Sequence, residues 1–199
     1  MKDFKKETAV LLIESSKNLV QFIASAAFEF WQRKDFRLFI DFNNLSKTEQ
    51  DRIFNELEVS VLGLFILHLD NAIRIANNKK QAVVLTALRN DLPKAFLQIY
   101  IDLGIEKKFI DQWKILIDMR LKEYRNGFKT ACEVSKSWKE FKGDKKLKIS
   151  WAIIETISID CLTHIRRGNV QKNDSLWKLL RKWFITLDGK LFPITNEMM

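Results

Sequence analysis

Residues 46–76 have the sequence SKTEQDRIFNELEVSVLGLFILHLDNAIRIA, and the spacing of their apolar side chains points to the fold class. Ser46 and Glu49 have the spacing of a capping box. In that motif the Ser hydroxyl accepts a hydrogen bond from the amide three residues on, and the Glu carboxylate bonds back to the Ser amide. Apolar residues then recur every three or four positions to about Ala76, which predicts one amphipathic helix. About 30 residues of helix would be about 45 Å long.

The same spacing continues on both sides of this stretch. It predicts further helices over residues 5–32, 80–89, 93–103, 106–138, 146–166 and 175–186. Two stretches stay open: residues 36–42 fit a short helix, a strand or a packed connector, and residues 187–192 fit a small hairpin or a helix end with a tail. We expect an all-α protein, an elongated bundle of six to eight helices with two or three long ones. It would form one domain over residues 1–199, with possible halves at residues 1–78 and 79–199.

Residues that break helices are scarce in this chain. Six glycines and two prolines make up about 4% of its 199 residues, where an average protein has about 12%. This scarcity excludes β-sandwiches, collagen-like repeats and flexible linkers. Six of the eight are predicted to lie between helices, at a helix start or in the tail: Pro93, Gly104, Gly143, Gly168, Gly189 and Pro193. Gly63 and Gly127 fall inside long helices, where we expect close helix crossings or a kink.

Composition also bears on the compartment. The two cysteines, Cys132 and Cys161, do not form a C-x-x-C pair, which indicates a reducing environment and therefore a cytoplasmic location. The N-terminal residues have charge but no clean apolar run and no cleavage site, so no signal peptide is predicted. The most apolar stretch, residues 59–69, is shorter than the ~20 residues that cross a bilayer. We therefore expect no membrane segment, and no cofactor or metal.

Positive charge is concentrated near the C-terminus. The formal charge of +9 divides into −1 for residues 1–75, +4 for residues 76–135 and +6 for residues 136–199. A basic surface with interleaved aromatic residues is typical of proteins that bind phosphate backbones, and a tryptophan can stack on an unpaired base. The predicted nucleic-acid site consists of Lys136, Lys139, Lys142, Lys145, Lys146, Arg166, Arg167, Lys178, Arg181, Lys182 and Trp177.

The favoured hypothesis is thus a non-catalytic accessory protein or subunit that contacts RNA or DNA backbone. The plainer alternative is that these lysines only solvate amphipathic helices whose tryptophans are buried. A third possibility is a protein–protein adaptor or homo-oligomer. It would use an apolar surface in the N-terminal half, where six aromatic residues fall within fifteen positions: Phe28, Phe30, Trp31, Phe36, Phe39 and Phe42.

The sequence offers little catalytic chemistry. The chain lacks G-x-G-x-x-G, G-x-x-x-x-G-K-[ST], H-E-x-x-H and G-x-S-x-G. Of the two histidines, His68 and His164, the second could share a helix face with Asp160 and approach Glu155. We expect a buried histidine paired with a carboxylate there. The run Asp118-x-Arg120-x-x-Glu123-x-Arg125 predicts an exposed intrahelical ion-pair ladder or, alternatively, a buried polar cluster.

Overall fold

Seven α-helices and a short 3-10 helix form the part of the chain that the computed structural model describes, residues 2–135 and 144–197, with side chains from 14 to 134 and from 144 to 190. No strand occurs within these residues, so the all-α prediction is confirmed. The α-helices are α1 (Lys2–Trp31), α2 (Lys34–Phe39), α3 (Lys47–Ile75), α4 (Lys79–Asp102), α5 (Lys107–Ser135), α6 (Lys145–Ile165) and α7 (Ser175–Glu197), and the 3-10 helix is Phe42–Asn44.

Helix α3 lies at the centre of the bundle. Every residue from 56 to 67 is buried, as expected of a helix that is surrounded on all sides. Helices α1, α4, α5, α6 and α7 all pack against it. The predicted start is confirmed, because the Ser46 hydroxyl accepts from the Glu49 amide at 3.2 Å. The Glu49 carboxylate binds Arg52 and Arg167 instead of the Ser46 amide.

Two predicted helix boundaries are wrong. Helix α4 continues through Pro93, and α7 continues through Gly189 and Pro193, where a hairpin or tail was one expectation. Proline inside a helix removes one amide donor and crowds the preceding turn. In α4 the flanking Leu92 and Phe96 are fully buried, so packing outweighs this local cost. Residues 36–42 form the end of α2 and the start of the 3-10 helix.

The glycines within the long helices lie at close helix crossings, as expected. A Cβ added to Gly63 on α3 would lie 2.5 Å from Tyr124 Cε2 on α5. A Cβ on Gly127 would lie 3.0 Å from Thr156 Cγ2 on α6. Gly104 follows α4 with a φ of 78°, the left-handed backbone of a helix end. The predicted turn at Gly143 lies outside the described residues, but Asp144 accepts from the Leu147 amide and caps α6.

Most aromatic residues of the N-terminal half pack into the core. Phe30 and Phe36 are buried, and Phe30 stacks on Trp183 of α7 with ring centroids 4.0 Å apart. Trp31 packs edge-on against Phe42 at 5.1 Å. Phe30 and Phe36 therefore cannot belong to the expected apolar surface, and Trp31 and Phe42 are half-buried. Only the remaining two of the six are exposed, Phe28 at 51% and Phe39 at 36%.

Side chains from all seven helices meet in one buried hydrophobic cluster. Among the helices that the structure describes, none combines the length and the apolar character that crossing a membrane requires.

Candidate functional site

Two arginines of the predicted nucleic-acid site are engaged within the fold. Arg166, at the end of α6, donates from Nε to Asp174 Oδ2 at 3.0 Å and from Nη2 to the Phe39 carbonyl at 3.1 Å. Arg167 donates from Nη2 to Glu49 Oε2 at 2.5 Å. These bonds join the α6–α7 connection to α2 and to the start of α3. Both side chains thus have a structural role, and their positive charges are balanced by neighbouring carboxylates.

Arg181 is engaged in the same way. Its guanidinium pairs with Glu155 of α6. The guanidinium carbon also lies 5.8 Å from the centroid of Trp151 and 5.9 Å from that of Trp177, within the range of cation–π attraction. The Trp177 ring is therefore half-buried against Arg181 and the core rather than standing clear of the surface.

The predicted lysines are arranged differently. Lys145, Lys146, Lys178 and Lys182 are exposed, and none of them is in an ion pair with the residues that the structure describes. Lys136, Lys139 and Lys142 lie outside the described residues. The four described lysines therefore keep their charge available to a partner.

These four lysines form two groups. Contacts of Glu155 with Arg181 and of Ser150 with Asp188 show that α7 runs antiparallel to α6. At 1.5 Å per residue, the lysine pair at the start of α6 and the pair on α7 are about 15 Å apart along this hairpin. Within α7, Lys178 and Lys182 are four residues apart and share a helix face. The described lysines of the predicted nucleic-acid site thus form two basic groups on one helical hairpin.

A polar cluster, buried at Glu56 and Arg120, lies elsewhere, between α3, α5 and α6. Arg120 of α5 donates to both carboxylate oxygens of Glu56 on α3, at 2.9 and 2.7 Å. It also donates to Glu123 Oε2 at 3.0 Å, and His164 Nε2 of α6 lies 3.0 Å from the same oxygen. The exposed fraction of the Glu56 side chain is 4% and that of Arg120 is 11%. We call these four residues the Glu56–His164 cluster.

The cluster corrects the prediction of an exposed charge ladder on α5. Only the Arg120–Glu123 pair is intrahelical. Arg120 reaches Glu56, and Arg125 donates from Nε to Asp70 Oδ2 on α3 at 2.8 Å. The alternative of a buried polar cluster holds for Arg120 alone, because the Glu123 and Arg125 side chains keep 41% and 40% of their surface exposed.

The carboxylate paired with His164 is also different from the expected one. His164 pairs with Glu123 rather than Asp160, and Glu155 pairs with Arg181. The Oδ2 atom of Asp160 is buried and has no hydrogen-bond partner among the described residues. Burial raises the pKa of Asp160 to about 6, helped by the nearby Glu123 charge. Burial and the Arg120 charge lower the pKa of His164.

The chemistry of the cluster is that of an interhelical brace. Cys161 is fully buried beside it, and burial raises the pKa of this thiol to about 12, so it stays protonated and unreactive. Tyr124 is also fully buried, with its hydroxyl 3.1 Å from Ser60 Oγ. Within the described residues, no group of three or more His, Cys, Asp or Glu side chains is placed to hold a metal ion.

A second polar cluster was not predicted from the sequence. His68 Nε2 of α3 lies 2.6 Å from Asp188 Oδ1 of α7, and Ser150 of α6 donates to Asp188. Burial raises the pKa of Asp188, but His68 and Ser150 outweigh it and hold the pKa below its ordinary value. The Asp188 carboxylate lies between His68 and Ser150, whereas in a nucleophilic triad the histidine lies between the carboxylate and the nucleophile. Asp188 is 38 residues from Ser150 and 120 residues from His68, so no local sequence pattern predicts these contacts.

The geometry thus offers two buried braces and a hairpin with exposed lysines. Comparisons with protein-family models, with curated proteins and with solved structures gave no match, so the functional proposal rests on the chemistry of these residues.

Proposed function

We propose that this protein is a non-catalytic accessory protein or subunit that contacts the phosphate backbone of a nucleic acid through lysines of the α6–α7 hairpin. The observation that carries the proposal is that the arginines and the lysines of residues 144–190 differ in their partners. The three arginines of residues 144–190 are ion-paired. Seven lysines have no ion pair with the described residues: Lys145, Lys146, Lys148, Lys172, Lys178, Lys182 and Lys190.

This division favours binding that does not depend on base sequence. Arginine reads guanine through a bidentate pair of donors, and the arginines here use their donors within the fold. Lysine is a compact point charge that suits phosphate contacts without base readout. Trp177 is packed beside Arg181, so the proposal no longer includes stacking on a base. Affinity would come from backbone charge and from the release of counterions.

The test is binding as a function of salt concentration. Fluorescence anisotropy with labelled 30-mer duplexes and single strands would compare the wild type with a K178Q/K182Q variant. Each lysine that neutralises a duplex phosphate adds about 0.9 to the slope of log affinity against log salt. The double variant should therefore bind more weakly and lower the duplex slope by about 2.

The matched control is K79Q/K80Q, which removes the same charge from two exposed lysines in the first turn of α4. This variant should keep the wild-type slope. The proposal fails if the wild type binds neither probe at 50 mM salt. It also fails if the two double variants lower the slope equally, because binding would then follow net charge rather than the hairpin.

A further inference from the structure

A cleft between α4 and α5 has the composition of a small-molecule site. Its volume is about 400 Å³, within the usual range for ligand pockets. Its apolar wall is formed by Ile66, Leu97, Ile117 and Leu121. Its charged lining residues are Arg89, Lys94, Lys114, Asp118 and Arg125. An apolar wall next to several cations suits a ligand that is apolar at one end and anionic at the other.

Asp70 of α3 positions the two arginines. Arg89 donates from Nη1 to Asp70 Oδ1 at 3.0 Å, and Arg125 donates from Nε to Asp70 Oδ2 at 2.8 Å. Each guanidinium has five N–H donors in a fixed plane, and each gives one of them to Asp70. The carboxylate thereby fixes the orientation of both side chains, while other donors remain for a ligand.

The turn of α4 beside the cleft has an unmatched hydrogen-bond donor. The Arg89 Nε atom is buried and has no hydrogen-bond partner among the described residues. Pro93, another lining residue, stands four positions after Arg89 and has no N–H to give to the Arg89 carbonyl. An unsatisfied buried donor is costly, and an acceptor on a bound ligand would remove that cost.

The charges at the cleft leave one positive charge in excess. Lys94 is held by Asp91 at 2.8 Å, and Asp70 is shared by the two arginines. With Asp118, three carboxylates face four cations. A carboxylate ligand carries one negative charge, whereas a phosphate monoester carries about −1.5 to −2 at pH 7. The balance therefore matches a monocarboxylate.

We propose that this cleft binds a small carboxylate with an apolar chain, its head at Arg89 and Arg125 and its chain on the wall formed by Leu97, Ile117 and Leu121. This site lies on α4 and α5, so it is independent of the proposed nucleic-acid surface on α6 and α7.

Isothermal titration of the full chain with octanoate tests the proposal. Acetate has the same charge without the chain, and 1-octanol has the chain without the charge. We expect one octanoate site per chain, with both comparison compounds binding at least about tenfold more weakly. Arg89→Gln and Arg125→Gln should each weaken octanoate binding about tenfold, as expected for the loss of one charge-assisted contact.

The control is Lys122→Gln, which removes the same charge from an exposed position on α5 outside the cleft lining and should bind octanoate like the wild type. The proposal is overturned if octanoate does not bind or binds at several sites. Equal binding of 1-octanol, or wild-type affinity in both the Arg89 and Arg125 variants, would also overturn it.

Discussion

Glu58 allows a direct measurement of how much a buried charge lowers the free energy of unfolding of this protein. It lies on α3 with 3% of its surface exposed, and Tyr100 of α4 donates to its Oε2 atom at 2.6 Å. Burial raises the pKa of Glu58 from its ordinary 4.5 to about 7, although the Tyr100 hydrogen bond acts in the opposite direction. At neutral pH the folded protein thus has a carboxyl group that ionises less readily than in the unfolded chain.

The sign of the effect follows from proton binding. Between pH 4.5 and 7 the folded state binds more protons at Glu58 than the unfolded state, so its contribution to stability falls as the pH rises. At about 1.4 kcal/mol for each pKa unit, the cost of the ionised side chain is about 3 kcal/mol above pH 7. Glu58→Gln removes this cost and keeps an oxygen that can accept from Tyr100. It should raise the free energy of unfolding by about 3 kcal/mol at pH 8 and by less than about 1 kcal/mol at pH 5.

Urea unfolding followed by circular dichroism at both pH values measures this difference. Glu133→Gln is the control, because it removes an exposed carboxylate from α5 and should change stability by less than about 0.5 kcal/mol at either pH. The reasoning would be refuted if Glu58→Gln changed stability equally at pH 5 and pH 8, or if it destabilised the protein more at pH 8.

Three further substitutions test a buried ion pair, a close helix crossing and an open position on α7. Arg120→Met should lower the free energy of unfolding by about 3–5 kcal/mol, because Glu56 would keep a buried charge without its partner. Urea unfolding of the single variant and of the E56Q/R120M double variant tests this, and a double variant no more stable than the single one would contradict it. Gly63→Ala should lower the free energy of unfolding by at least about 1–3 kcal/mol, because the added Cβ would lie 2.5 Å from Tyr124 Cε2. Gly189→Ala, whose Cβ would meet no atom within 4 Å, should raise the free energy of unfolding by about 0.5–1 kcal/mol. Thermal melts in which both glycine variants shift the melting temperature equally would contradict these two predictions.

The start of α3 and the end of α4 could be predicted because their signals are local. The Ser46 hydroxyl needs only the backbone three residues on, and Gly104 needs only its own positive φ. The crossings at Gly63 and Gly127 could be anticipated for a related reason. A glycine in a long helix has a local cost of about 1 kcal/mol, which a close contact with another helix can offset.

The continuation of α4 and α7 could not be predicted from the same local rules. Pro93 and Gly189 are helix breakers by propensity, and both lie inside helices. Buried neighbours such as Phe96 and Leu187 attach these segments to the core. That burial depends on residues far along the chain, so no window of sequence contains it.

The sequence by itself determined the all-α class, the capped start of α3 and the excess of positive charge near the C-terminus. Periodicity, capping and composition depend only on residues that are close in the sequence, so they can be recognised without the structure. Only the tertiary structure decided which charges stay available to a partner. Arg120 and Glu56 are 64 residues apart, and Arg167 and Glu49 are 118 apart. The packing of whole helices brings such partners together, because an ion pair forms where the folded backbone places two side chains and not where the sequence lists them.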